Sequence, residues 1–246
     1  MNNSALVIGF FALLFFVSCA EPYMDTYRST RTVSTHRTIA AKYDAPLIRV
    51  ERPANVKKRY GNTETIIPSD SALFDFEDSL ISALIWLGPE DVNFKITNKS
   101  EQTMKLIWDD AAFIESDNTA TRVMHAGVKF SERNGSMPAS IIPRRGKLDD
   151  MATPTNRISW REGYGSISGD WHNSGIFSPL VDVIEGDASG VPLAPIDAFY
   201  TEAKKHLGEK VGLIVPLEIE GVKNEYTFWF QVKKVDLDTS DAIRRD

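Results

Sequence analysis

From Leu73 onward, apolar and polar residues alternate with a period of two, the pattern of a strand with one buried face. Leu73-Phe74-Asp75-Phe76 and Leu80-Ile81-Ser82-Ala83-Leu84-Ile85-Trp86 read as two short strands or one interrupted strand. Val92-Asn93-Phe94-Lys95-Ile96-Thr97 alternates without a break. Met104-Lys105-Leu106-Ile107-Trp108 resumes the pattern after the polar turn Asn98-Lys99-Ser100-Glu101-Gln102, so residues 92–108 are expected to form a hairpin. Phe113-Ile114, Arg122–Phe130 and Ser140-Ile141-Ile142 are further candidate strands; Pro143, with no N–H to give a ladder, ends the last of them. Six glycines between Gly163 and Gly190 break up a long loop region at 143–195, in which Arg157-Ile158-Ser159-Trp160 is the one plain strand. Asp197–Leu207 has a helical pattern, with Asp197 as N-cap and Gly208 just past the end. Val211–Ile219 and Glu225–Lys234, joined by Gly221-Val222-Lys223-Asn224, form a C-terminal hairpin, and residues 237–246 are polar and expected to fray.

Seven to nine strands joined by local hairpins, with one short late helix, make a mainly β chain. The expected architecture is an antiparallel two-sheet sandwich spanning 71–236, Ig-like in the broad sense, with a small β-barrel as the alternative. The stretch Val92–Ser100 followed by Leu106-Ile107-Trp108 resembles the strand, Asn-x-Ser, strand unit of Ig-like envelope lipoproteins. That resemblance implies a sandwich and assigns no activity.

The first nineteen residues follow another logic. Ala5–Val17 is an uncharged apolar run, shorter than the roughly 17–25 residues that cross a bilayer, and it ends at small residues, as a signal-peptide core does. Phe16-Val17-Ser18-Cys19 resembles the lipobox of bacterial lipoproteins. The resemblance implies that residues 1–18 are a cleaved signal peptide and that Cys19 carries a diacylglycerol and an acylated (typically palmitoylated) amino terminus. It also implies a cell-envelope location, at the outer membrane because no Asp follows Cys19. The alternative is an unmodified Cys19 at the end of an ordinary signal peptide or short anchor. Cys19 is the single cysteine of the 246 residues, so the domain has no intramolecular disulfide and its core must stabilise it.

Charge changes the picture for residues 19–70. Ala20–Tyr60 holds nine basic and four acidic residues, a net of +5; with −6 overall and a neutral first nineteen residues, the remainder carries −11. Thr26–Thr38 is polar and biased, too poor in large apolar residues to fold alone, so 19–70 is expected to be a basic, largely flexible tether. An acidic folded part argues against nucleic acid as a partner.

Candidate chemistry is sparse. His36, His125, His172 and His206 are scattered, with no His-Glu-x-x-His or Cys-x-x-Cys spacing, no Gly-x-Ser-x-Gly and no phosphate-cradling loop. The acidic pairs Asp109-Asp110 and Asp149-Asp150 lack the tight glycine turn of a calcium loop, so no metal, cofactor or catalytic residue is assigned. Trp86, Trp108 and Trp229 lie within strand patterns and are expected in the core. Trp160, Tyr164, Trp171 and Phe177, interleaved with glycines, are candidate contacts to a ligand or partner, with Trp171 the expected exposed anchor. Alternatively, these aromatics fold back as the loop's own small core. The expected function is a non-catalytic, lipid-anchored accessory or assembly protein that docks onto another envelope protein. A glycan- or peptidoglycan-binding module is the second reading, and an envelope hydrolase the third.

Overall fold

The computed structural model describes residues 35–53, 63–66, 74–177, 181–185 and 196–242, and the chain is in strand from Thr35. β1 (Thr35–Asp44), β2 (Leu47–Pro53), β3 (Thr63–Ile66) and β4 (Asp75–Glu77) lead to β5 (Ile81–Leu87), β6 (Val92–Asn98) and β7 (Met104–Leu106). The middle holds β8 (Ala112–Ile114), β9 (Ala120–Met124), β10 (Ser140–Ile142), β11 (Lys147–Pro154), β12 (Ile158–Arg161), β13 (Asp170–Asn173) and β14 (Val181–Glu185). Helix α1 (Ile196–Lys204) precedes β15 (Lys210–Ile219), β16 (Val222–Gln231) and β17 (Lys234–Ala242).

The protein is mainly β, with antiparallel sheets and one α-helix among the described residues. One layer runs β3-β2-β16-β15; β15 then pairs β8 along Gly212–Ile214 and β7 along Leu217–Ile219, with β9 and β10 beyond them. The other layer runs β11-β6-β5-β4. β11 belongs to both: Lys147–Ala152 pair with β6, and Thr153-Pro154 pair with β9, so one side of the structure is nearly closed like a barrel. The inward faces supply the core, with Ile81, Ala83 and Ile85 of β5 and Val92, Phe94 and Ile96 of β6 against Trp108, Phe113, Leu213, Leu217, Tyr226 and Phe228. Each large apolar side chain so buried contributes about 1.5–3 kcal/mol. The β15–β16 hairpin forms as expected, but its turn is Glu220-Gly221, both at positive φ (51° and 75°), a two-residue turn whose twist matches the strands.

Residues 92–108 are not a hairpin. β6 pairs β5 and β11, whereas β7 pairs β10 and β15, so the chain crosses from one layer to the other between them. Asn98, fully buried, secures the crossing. Its Nδ2 lies within hydrogen-bonding reach of the Gln102 (2.7 Å), Pro143 (3.1 Å) and Ile142 (3.3 Å) carbonyls, and its Oδ1 accepts from the Ser100 N–H and hydroxyl. A side-chain amide thus stands in for ladder bonds where the backbone leaves one sheet, and alternation alone does not encode that.

Other boundaries also differ from expectation. β1 and β3 lie within the stretch 19–70 read as tether; β2 takes up the short edge strand suggested by Pro46–Val50, though β3 pairs outside it; and β17 runs through most of the expected frayed end. β1 and β17 pair over nine residues, Thr38 facing Ser240 and Ile39 facing Thr239, so backbone hydrogen bonds order segments with little apolar periodicity. Within 143–195, β11, β13 and β14 join β12 as strands. β9 stops at Met124 and Phe130 opens a 3₁₀ turn, so 122–130 is not one strand. α1 begins at Ile196, which places Asp197 in its first turn rather than at the cap, and it ends at Lys204 rather than Leu207, with Gly208 (φ 88°) closing the turn that follows.

The side opposite β11 is closed by a carboxylate. Asp78, just past β4 and with a side chain 2% exposed, accepts through Oδ1 from the Leu80 and Ile81 N–H groups. Its Oδ2 accepts from Arg52 Nη1 of β2 and from the Tyr226 hydroxyl of β16, both at 3.0 Å. Burial, reinforced by the Asp78 charge, pushes the Tyr226 phenol far above its ordinary value of 10.0, so it stays a neutral donor. Asp78→Ala is expected to cost about 3–5 kcal/mol in urea unfolding, because it takes the acceptor from the buried Tyr226 hydroxyl and from the Leu80 and Ile81 N–H groups and removes one partner of Arg52. In the unfolded chain Tyr226 ionises near pH 10 while the folded one remains protonated, so stability falls as pH rises past that point. Tyr226→Phe should flatten this loss by up to about 1.4 kcal/mol per pH unit in alkaline denaturation series.

Candidate functional site

The acidic pairs serve the loops. Asp109 accepts from the Ser136 hydroxyl, the Met137 N–H (3.0 Å) and Arg122 (2.6 Å), in that order the causes that hold its carboxyl below the ordinary value. Asp110 pairs with Lys223 and Asp149 with Lys95. Asp150 accepts from the Ala126 and Met151 N–H groups and lies 3.5 Å from His125 Nδ1. The His125 ring stacks on Trp108 at 4.4 Å, and Trp108 Nε1 donates to Ser140 Oγ at 2.8 Å. His206 packs on Tyr43 and Phe177 with its Nδ1 2.9 Å from Glu209, His172 lies on β13 and His36 on β1. Among the described residues no three His, Cys, Asp or Glu side chains converge as a metal site, and no helix is long and apolar enough to cross a membrane.

Two surface features remain. The first is the β12–β13 hairpin, which pairs with no other described strand. Its base is fixed: the Ser174 N–H donates to the Arg157 carbonyl, the Ile176 N–H to Pro89, and Arg157 pairs with Glu115 at 2.6 Å. Above that, Trp160 faces Trp171 across the strands with rings edge to face at 5.4 Å, and Arg161 faces Asp170 at 2.8 Å. Trp171 is half-buried, against Phe130 at 6.4 Å and under the Arg133 guanidinium at 4.8 Å. The connecting residues 162–169 fold back tightly: a Cβ on Gly169 would stand 2.4 Å from the Trp160 ring, and one on Gly163 2.1 Å from the Ile167 carbonyl oxygen. Only glycine fits both places. The compact loop turns Tyr164 (89% exposed) and Ile167 (75%) outward as an apolar tip.

Of the four aromatic candidates, then, Trp160, Tyr164 and Trp171 share this hairpin. Trp160 and Tyr164, not Trp171, are its exposed members, because Phe130 and Arg133 reach Trp171 from a neighbouring turn. Phe177 belongs to the core, 7% exposed and 4.8 Å from Tyr43. Ile167 carries little signal in the sequence, a lone apolar residue between two serines. Cys19 lies outside the described residues.

The second feature is a cleft of about 490 Å³ beside the β4–β5 edge. One wall is Phe74, Leu84, Trp86 and Leu87; the other carries Lys42, Asp44, Lys234 and Asp236, with Tyr43 and Ala45 completing the lining. Lys42 faces Asp236 and Asp44 faces Lys234 across β1 and β17, so charges of opposite sign alternate on that wall. Lys234 hydrogen-bonds Asp236 at 2.6 Å, which raises its pKa. Of the three tryptophans expected in the core, Trp108 is fully buried, Trp229 is half-buried under Arg49, and Trp86 opens onto this cleft at 37% exposure. β5 is apolar on both faces: Ile81, Ala83 and Ile85 point into the core, while Leu84 and Trp86 point away. That doubled pattern was the available signal.

The Arg161 hydrogen bond, and then its charge, hold the Asp170 carboxyl below the ordinary 3.8. A lowered folded-state value stabilises above the unfolded pKa, and the contribution is lost as pH falls through the folded one. The Arg161–Asp170 pair is exposed and such pairs contribute little, so Asp170→Asn should leave the coupled near-ultraviolet circular dichroism of Trp160 and Trp171 in place at neutral pH, and any weakening of the wild-type signal on acidification below the unfolded carboxylate range should be absent from the variant. Compared with protein-family models, curated proteins and solved structures, the chain matches none.

Proposed function

We propose that this is a non-catalytic accessory protein of a bacterial cell envelope, lipid-anchored through Cys19, that docks onto another envelope protein with its β12–β13 hairpin. The observation carrying the docking role is the tip. Tyr164 and Ile167 stand in solvent on a loop that two obligatory glycines hold compact, above a Trp–Trp pair and a base fixed by Arg157–Glu115. An ordered apolar knob costs little entropy to seat in a partner's pocket. The lipobox-like Phe16-Val17-Ser18-Cys19 supports the anchor. Two or more acyl chains give stable attachment where one gives only reversible binding. The fold begins no later than Thr35, so reach from the anchor comes from residues 20–34, at most about 55 Å fully extended.

Metabolic labelling with a palmitate analogue should mark the wild type and not Cys19→Ala; absent label, or label that survives the substitution, refutes the anchor. At native expression, detergent-extracted protein should copurify with one stoichiometric envelope partner. Tyr164→Ser with Ile167→Ser should weaken that complex by about 30-fold or more, the effect of losing roughly 2 kcal/mol of buried contact. A complex that the tip variant leaves intact places docking elsewhere.

A further inference from the structure

We propose that the cleft between β5 and the β1–β17 ribbon binds an uncharged saccharide. The two walls differ in kind. Trp86, with Leu84 and Phe74, offers a flat apolar surface that stays open to solvent on a strand whose other face is core. Across from it stand two ammonium groups and two carboxylates in alternation, Lys42 against Asp236 and Asp44 against Lys234. A pyranose has this same duality: one ring face of C–H groups that stacks on an indole, and a rim of hydroxyls that both donate and accept. Carboxylates accept hydrogen bonds from hydroxyls and ammonium groups donate to them, and hydrogen bonds to charged partners are the stronger kind.

The sign balance excludes other small ligands. Two positive and two negative groups sum to zero, and Lys234 is already tied to Asp236, so neither an anion nor a cation is drawn in by net field. A wholly apolar ligand would strip water from the charged wall and offer it no hydrogen bonds, which costs more than its own burial returns. A neutral, polyhydroxylated ring satisfies both walls, and about 490 Å³ lies within the range of about 300–1,000 Å³ typical of small-molecule sites. The inference rests on the cleft alone and is independent of the hairpin's docking role.

The test is calorimetric titration of the full chain, held in a detergent without a sugar headgroup, with three neutral probes: chitotetraose, maltohexaose and cellohexaose. At least one should bind saturably. Trp86→Ala and Asp236→Asn should each weaken that binding tenfold or more, whereas Tyr164→Ser leaves it unchanged, and an oligogalacturonate of equal length should bind no tighter. Leu84→Lys, at a position already open to solvent, keeps the test valid if Trp86→Ala fails to fold. Absence of saturable binding to all three probes overturns the proposal, as does binding that Trp86→Ala and Leu84→Lys leave intact. A photo-crosslinker at Leu84 that captures a polypeptide while no saccharide binds makes the cleft a protein interface instead.

Discussion

Two sheets that share a core must be closed along both sides, and here one side depends on a single buried carboxylate. Asp78 gathers two backbone N–H groups of its own turn, the Arg52 guanidinium of β2 and the Tyr226 hydroxyl of β16. A buried ionic group of this kind is a weak source of net stability, since desolvation offsets much of the attraction. Its effect is to fix geometry. The β5–β6 ladder sets the register that turns Ile81, Ala83 and Ile85 inward, and Asp78 fixes how the β4–β5 edge seats against β2 and β16. On the other side, β11 achieves closure by covalent continuity, its first six residues in one layer and its last two in the other. Asn98 acts likewise where β6 leaves for β7. Polar side chains sit where backbone ladders end, which is where burial demands them.

The same demand explains why candidate chemistry read from the sequence dissolves into architecture. Asp109 and Asp110 are adjacent in the chain but face different elements, one the 134–137 turn and Arg122, the other Lys223 on β16. Asp149 and Asp150 diverge because successive residues of a strand point to opposite faces. Asp149 meets Lys95 in solvent, and Asp150 turns toward His125. Paired carboxylates on a strand are thus poorly placed to converge on one ion, and spacing alone does not reveal it.

Period-two alternation made the β class and strands β5, β6, β15 and β16 legible, and a helical pattern ending before Gly208 did the same for the late helix. Alternation carries no information about which layer a strand joins, so the crossing at Asn98 passed for a hairpin. It also fails where strands owe their order to backbone pairing, as in β1 and β17, whose facing residues include Thr38, Ser240 and Thr239. The aromatic loop was legible as a cluster but not in its exposures. Whether Phe177 or Trp160 reaches solvent is decided by Tyr43 and His206 in one case and, in the other, by there being no third strand beside β12 and β13 among the described residues. Those partners are remote in sequence.

β5 shows how one strand's pattern links fold to site. A strand near a sheet edge with an apolar outer face is an aggregation hazard unless something covers it. The partial cover is the β1–β17 ribbon, and it presents to Leu84 and Trp86 not more hydrocarbon but a self-neutralised row of charges. Apolar packing would have sealed the gap and buried both faces of β5; the charged wall keeps its hydration instead, and a cleft is left between them. The alternating signs prevent the two rows from repelling each other, so the ribbon is stable without filling the space. β1 is therefore part of the site as well as of the fold. By pairing with the last strand it forms one wall of the cleft, whose other wall is the outer face of β5.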